Sequence, residues 1–113
     1  PFGAAGLSVQ CEYEGIVGDY PLTMPMSTDS AVIFGRELYG EPKKVADIQV
    51  RRDGNNIVGT VQRYGITYIE LRGDVVDAGE PGDSGESSRF YFKYMPAPDG
   101  DGFANPSTRV SKL

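Results

Sequence analysis

Apolar and polar residues alternate near the start of the chain, and this alternation predicts a β-strand with one buried and one exposed face. The segment 7–13 repeats with a period of two, which is the side-chain period of a strand. A turn over 14–19 should lead into a second strand over 20–24, so the first two strands form a hairpin. The apolar positions of the first strand are Leu7, Val9, Cys11 and Tyr13.

The middle of the chain carries a continuous apolar run and a second hairpin pattern. Residues 31–34 are all apolar, which predicts a strand buried on both faces, and a short turn over 35–40 follows. The triplet Asp53-Gly54-Asn55 is a strong turn signal. It separates strands predicted over 45–51 and 56–63, and a further strand is predicted over 66–71.

The last third of the chain begins with a change of composition. Residues 73–88 are rich in Gly, Asp, Glu and Ser, which predicts a mobile acidic loop. Short strands at regular spacing, with hardly any helical periodicity, predict a mainly β (α+β) single domain over 1–113, built as a curved antiparallel sheet or barrel. The remaining predicted elements are an aromatic strand over 89–95, turns over 96–106 and a final strand over 108–113.

Composition excludes several classes of chemistry. The sequence contains no histidine, so it lacks the imidazole that Ser-His and Cys-His nucleophile systems and many metal sites require. Cys11 is its single cysteine and cannot form an internal disulfide, which favours a reducing, cytoplasmic setting. The terminal Ser111-Lys112-Leu113 also matches a peroxisomal address, and that alternative stays open. We expect no metal ion in the site.

Charge and apolar run length bear on the partners of the protein. The net charge of −5, with scattered arginines, leaves no basic field for a phosphate backbone. The apolar runs are far shorter than the roughly 20 residues that cross a bilayer. We therefore expect neither nucleic acid nor a membrane as a partner.

Two adjacent lysines are the strongest candidates for chemistry. Lys43 and Lys44 follow Pro42 in a polar segment between apolar strands. One interpretation is a solvated turn without a role, because lysine is almost never fully buried. The alternative interpretation makes one lysine a nucleophile.

The surroundings of these lysines resemble the acetoacetate decarboxylase family. The resemblance consists of Gly35-Arg36-Glu37 followed by Pro42-Lys43-Lys44, with Gly18-Asp19-Tyr20 and Met24 upstream, and of Lys93, Pro96 and Asp99-Gly100 downstream. It implies that Lys43 forms a Schiff base with a small-molecule 3-oxo acid and that Lys44 is its cationic neighbour. It also implies decarboxylation without a metal or organic cofactor, and large homo-oligomers. The match covers the middle of a longer family chain, and the first residue is Pro1, so we expect a fragment.

A nucleophilic lysine must lose its proton near neutral pH, although the pKa of a free lysine is near 10.4. Desolvation or a cationic neighbour lowers it, the activation known for acetoacetate decarboxylase. If Pro42 holds the chain extended, Lys43 and Lys44 project to opposite faces. We then expect Lys43 in an apolar pocket, and Lys44 directed away from it or toward Glu37 or Glu41.

Four further residues are candidates for binding the substrate. Met24 and Phe34 are expected to line the pocket, although apolar strand residues more often belong to the core. Arg36 and Glu37 are expected to orient the substrate, and a structural ion pair between them is an equal alternative.

One position departs from the family pattern. The family usually carries an active-site glutamate where this chain has Ala4, at the end of Phe2-Gly3-Ala4. Glu12 and Glu14 are alternatives, but both fall on the polar face of the first strand. This departure keeps open a Schiff-base aldolase or dehydratase, as some relatives of the family are. The short length of the chain keeps open a second alternative, a non-catalytic barrel that binds a small ligand.

Overall fold

Strands make up most of the computed structural model, which describes residues 1–77, 79 and 86–113. One six-residue α-helix, α1, covers Asp29–Phe34, and a π-helical turn, Gly35–Tyr39, continues it directly. The strands are β1 (Leu7–Tyr13), β2 (Ile16–Met26), β3 (Lys43–Val45), β4 (Asp47–Asp53), β5 (Asn56–Arg63), β6 (Ile66–Asp74), β7 (Ser88–Pro96) and β8 (Phe103–Lys112).

The strands form two sheets. The larger sheet has the order β1-β2-β7-β8, with β3 added beside β2, and the smaller one has the order β4-β5-β6. Neighbours joined by a hairpin are antiparallel, whereas β2 pairs in parallel with both β3 and β7. The mainly β fold class is confirmed, and the larger sheet is curved and open, with mixed strand directions.

The predicted strand over 31–34 is wrong, because these residues belong to α1. A short apolar run has no periodicity that separates a strand from a helix. Asp29 lies in the first turn of α1, where a carboxylate suits the positive end of the helix. Burial differs as well, since Val32 is buried while Ile33 and Phe34 are exposed.

The hairpin predictions are confirmed, with changes at their ends. The turn before β2 contains only Glu14 and Gly15, both with positive φ, so β2 begins at Ile16 rather than Tyr20. A two-residue turn of this kind matches the twist of the strands that it joins. Asp53 and Asn56 pair across the second hairpin, as the turn signal predicts. In the last hairpin, β8 begins at 103, five residues before the predicted start.

The acidic loop predicted over 73–88 is tested only in part. Its first residues, 73–74, end strand β6, and its last residue begins β7. Residues 78 and 80–85 lie outside the described part of the chain.

An aromatic cluster forms the core where β2 meets β7. Phe90 is fully buried, and its ring lies 5.9 Å from that of Tyr13. Phe92 packs edge-on against Tyr13 at 5.1 Å and is tilted against Tyr20 at 5.7 Å. Burying such large rings stabilises the fold most per residue. The cluster therefore fixes β7 beside β2, although their ladder consists of the single pair Asp19 and Arg89.

The helical part of the described chain is short. None of its helices has the length and apolar character needed to cross a membrane.

Candidate active site

Strand β3 positions Lys43 at the edge of the larger sheet. Lys43 is in register with Met24 of β2, and the Met24 amide donates a hydrogen bond to the Pro42 carbonyl at 3.0 Å. Nη1 of Arg36 donates to the Lys43 carbonyl at 3.3 Å. The backbone of Lys43 is therefore held by β2 on one side and by the π-helical turn on the other.

The end of the π-helical turn positions Glu41. Gly40 adopts a left-handed conformation with φ 71°, which terminates the helix. The amide of Glu41 then donates to the Gly35 carbonyl at 3.2 Å, and the Gly40 amide donates to the Arg36 carbonyl at the same distance. These bonds turn the chain back so that Glu41 and Lys43, two residues apart, lie against Gly35.

A shielded ion pair is the centre of the site. Nζ of Lys43 lies 2.5 Å from Oε2 of Glu41, and the two side chains are 15% and 13% exposed. Oε2 is buried and accepts no hydrogen bond among the described residues, so the Lys43 ammonium is its charge partner. A charge pair this shielded from water is screened far less by salt than a surface pair.

Gly35 leaves the space that the pair occupies. A Cβ built on this buried glycine would lie 2.5 Å from Cδ and 2.8 Å from Nζ of Lys43, and it would also collide with Oε2 of Glu41. A real Cβ makes essentially no nonbonded contacts under 3.0 Å, so a larger residue here must displace the pair. The site therefore requires glycine at the first position of the Gly35-Arg36-Glu37 motif, because a side chain there would take the space of the ion pair.

Lys43 and Lys44 diverge as the extended backbone predicts. Lys44 is exposed, whereas the Lys43 side chain is largely shielded. The exposure of Lys44 agrees with the expectation that it points away. The apolar environment expected for Lys43 is wrong in part, because its amine meets the carboxylate of Glu41. The sequence around Pro42 predicts that the two lysine side chains point to opposite faces of the strand. It does not predict which of them the Glu41 side chain contacts.

A cavity of about 200 Å³ adjoins the ion pair. Glu41 and Pro42 line it together with the aromatic residues of β7. Its cationic lining groups are Arg36 and Lys93, and Nζ of Lys93 donates to the Glu37 carbonyl. Lys43 does not line the cavity itself but touches Glu41, which does, so its amine is one contact away.

The predicted binding residues divide into two groups. Arg36 and Glu37 line the cavity. Met24 is half-buried beside Lys43 in the sheet, outside the lining. Phe34 is 63% exposed and meets Tyr39 edge-on at 6.0 Å, also outside the lining. The roles of all four in binding stay predictions.

Ala4 lies near the site but supplies no carboxylate. It bridges Met26 of β2, two residues beyond the partner of Lys43. Glu12 and Glu14 are exposed, as the alternation predicts. From the sequence, Glu41 is expected only as a possible partner of Lys44 and Lys93 only as part of the family resemblance, and neither is assigned to the surroundings of Lys43. Glu41 carried a signal, since it directly precedes Pro42, whereas nothing local to Lys93 connects it with a residue 56 positions earlier.

Ligands for a metal ion do not gather in the described residues. No group of three or more Asp, Glu, Cys or His side chains there could hold a metal ion.

Comparison with known proteins shows similar chains. An isomerase of CLA biosynthesis from Lactiplantibacillus plantarum is 32% identical over 95 residues, covering 70% of this chain and 34% of the relative. The acetoacetate decarboxylase of Clostridium acetobutylicum is 27% identical over 100 residues, covering 85% of this chain and 41% of the relative. The chain thus spans well under half the length of these relatives.

A solved structure gives the same fold. The acetoacetate decarboxylase of Legionella pneumophila superposes with a TM-score of 0.82 at 19% identity, covering 98% of this chain and 45% of that one. The family model described as acetoacetate decarboxylase (ADC) matches residues 1–111. Since that match includes nearly the whole sequence, the chain belongs to the acetoacetate decarboxylase family.

Proposed function

We propose that this chain carries the reactive lysine of a Schiff-base lyase that decarboxylates acetoacetate or a related 3-oxo acid, with Lys43 as the nucleophile. The observation that carries the proposal is the shielded Lys43 amine, one contact from a small cavity with two cationic groups. Family membership and the acetoacetate decarboxylases among its relatives support the class of reaction.

The reaction begins with the amine of Lys43 and the ketone of the substrate. Attack needs the neutral amine, and loss of water then gives a protonated imine. This cation withdraws the electron pair of the bond to the carboxylate, so carbon dioxide leaves and an enamine remains. Protonation of the enamine and hydrolysis of the imine release the ketone and restore the lysine. The lysine thereby supplies the electron sink that an organic cofactor supplies in other enzymes.

The cavity suits a small molecule that carries a carboxylate, because two cationic groups line it beside the carboxylates of Glu37 and Glu41. Its volume of about 200 Å³ lies below the range typical of drug-sized ligands. Arg36 and Lys93 offer positive charge to the substrate carboxylate, and a guanidinium can bind a carboxylate with two parallel hydrogen bonds. Aromatic residues of β7 also line the cavity and supply apolar contacts for the remaining carbon atoms of the substrate. A short oxo acid is therefore the substrate class that fits.

Borohydride trapping tests the proposal. The protein is incubated with acetoacetate and reduced with borohydride, and the modified residue is located by peptide mass spectrometry. We expect the adduct on Lys43 and none in Lys43→Met, which keeps an unbranched side chain only one atom shorter and lacks the amine. A wild-type protein that is not modified at Lys43 would refute the Schiff-base proposal. If it still binds acetoacetate, the non-catalytic ligand-binding alternative takes its place.

A second candidate is a Schiff-base enzyme that does not release carbon dioxide, such as an aldolase or dehydratase. Ala4 favours it, because the carboxylate that the family usually places there is missing. The isomerase among the relatives also shows that the sequence likeness extends beyond decarboxylases. Product analysis with a set of 2-oxo and 3-oxo acids separates the candidates. Carbon dioxide release supports the decarboxylase, and water loss or condensation supports the second candidate.

A further inference from the structure

We infer that Glu41 is the acid–base partner of Lys43, taking the proton that the amine must lose and returning it when water leaves. This inference rests on the proposed function of Lys43 as a nucleophile. It assigns to the site a carboxylate at position 41, whereas the resemblance points to position 4.

The contacts single out Glu41 among the carboxylates of the site. Its Oε2 lies 2.5 Å from Nζ of Lys43, close enough for proton transfer once an N–H of the ammonium turns toward it, since the two groups are not aligned as a hydrogen bond. Both side chains are largely shielded, and Oε2 has no hydrogen-bond partner among the described residues. Glu37 also lines the cavity, but it is the Glu37 backbone carbonyl that holds Lys93. Glu41 is therefore the carboxylate placed to exchange a proton with the nucleophile.

Glu41 also reaches the place where the substrate binds. It lines the cavity, whereas Lys43 does not. One carboxylate thus contacts the amine and also lines the cavity. The buried backbone of Gly35 holds it there, because the Glu41 amide donates to the Gly35 carbonyl.

The proton balance of imine formation closes with these two residues and the substrate. The Lys43 ammonium gives one proton to the Glu41 carboxylate, and the neutral amine attacks the carbonyl carbon while the carbonyl electron pair moves to oxygen. A second proton passes from nitrogen to that oxygen, giving a carbinolamine. Glu41 then returns its proton to the hydroxyl group, which leaves as water as the nitrogen electron pair forms the protonated imine. Glu41 ends as it began, and no oxidant or reductant takes part.

The rate of borohydride trapping with acetoacetate tests this role in the full polypeptide. General acid–base catalysis contributes about 100-fold to 10,000-fold, so we expect Glu41→Gln to form the Lys43 adduct at least about 100-fold more slowly than the wild type. Glu41→Asp keeps the carboxylate and should recover part of the rate. Glu12→Gln is the matched control, because it removes the same charge from an exposed position on β1 and should trap at the wild-type rate.

Rescue by a free carboxylate separates proton transfer from a structural role. Glu41→Ala leaves room beside the cavity, and added formate should restore adduct formation on Lys43, whereas chloride at the same ionic strength should not. This variant also decides the question if Glu41→Gln does not fold. The inference for Glu41 is overturned if Glu41→Gln is trapped at or above the wild-type rate. It is also overturned if formate does not rescue Glu41→Ala. Neither result affects the proposed function of Lys43. A wild type that is not trapped at Lys43 overturns the proposed function as well.

Discussion

Replacing Gly35 with alanine should damage the site far more than the fold. The backbone at Gly35 has φ −67° and ψ −41°, which alanine adopts without strain. The new methyl group would lie 2.5 Å from Cδ and 2.8 Å from Nζ of Lys43 and would overlap Oε2 of Glu41. Those atoms belong to the ends of flexible side chains, so the collision is relieved by moving the ion pair out of its place.

The two contributions to stability oppose each other. Alanine in a helix is favoured over glycine by roughly 0.5–1 kcal/mol. Overpacking costs about 1–3 kcal/mol. The net loss is therefore about 1 kcal/mol, a decrease of roughly 4–8 °C in Tm. Displacement of a reacting group by about 1 Å lowers the rate about 100-fold, and we expect a loss of that order in Lys43 trapping.

Thermal unfolding and borohydride trapping measure the two effects on the same sample. Gly73→Ala is the matched control, because its methyl group would meet no atom within 4 Å. It should leave trapping unchanged. If Gly35→Ala is trapped at the wild-type rate and its Tm does not decrease, then Lys43 and Glu41 do not occupy the space beside Gly35.

Two further predictions concern stability, each measured by urea unfolding. Gly40→Ala should cost about 2–5 kcal/mol, the sum of a left-handed backbone with φ 71° and a methyl group 2.6 Å from Cα of Lys93. Gly54→Ala, with φ 57° and open space, should lose only the backbone part of about 1–2 kcal/mol, and equal losses would contradict the packing of Gly40 on Lys93. Phe90→Ala should cost about 3–5 kcal/mol because the ring is fully buried. Phe103→Ala removes an exposed ring that meets the Tyr94 ring edge-on and should cost about 1 kcal/mol, so a similar loss in both variants would place the core elsewhere.

Local patterns predicted much of the fold. The hairpin from β4 to β5 follows from strand periodicity and the Asp53-Gly54-Asn55 turn, since both act over a few residues. The run over 31–34 failed because four apolar residues suit a helix and a strand equally. The parallel pairing of β2 with β7 is not visible in any short window of sequence.

The candidate site likewise contains features that local sequence predicts and features that it does not. The divergence of Lys43 and Lys44 follows from the extended backbone after Pro42, which is a local property. The contact between Glu41 and Lys43 depends on how the helical turn closes at Gly40, and the cavity depends on where β7 docks. Packing between distant segments decides both, so the sequence pattern alone could not provide them.

The single pairing between β2 and β7 bears on the order in which the site assembles. The segment that carries Glu41 and Lys43 closes on itself within a few residues, whereas Lys93 reaches Glu37 across 56 positions. Closing a long loop has a larger entropic cost than closing a short one, so local contacts form early and distant ones late. A refolding chain should therefore form the Lys43–Glu41 pair before it possesses a cavity, and the shape of that cavity should be among the last properties that it acquires.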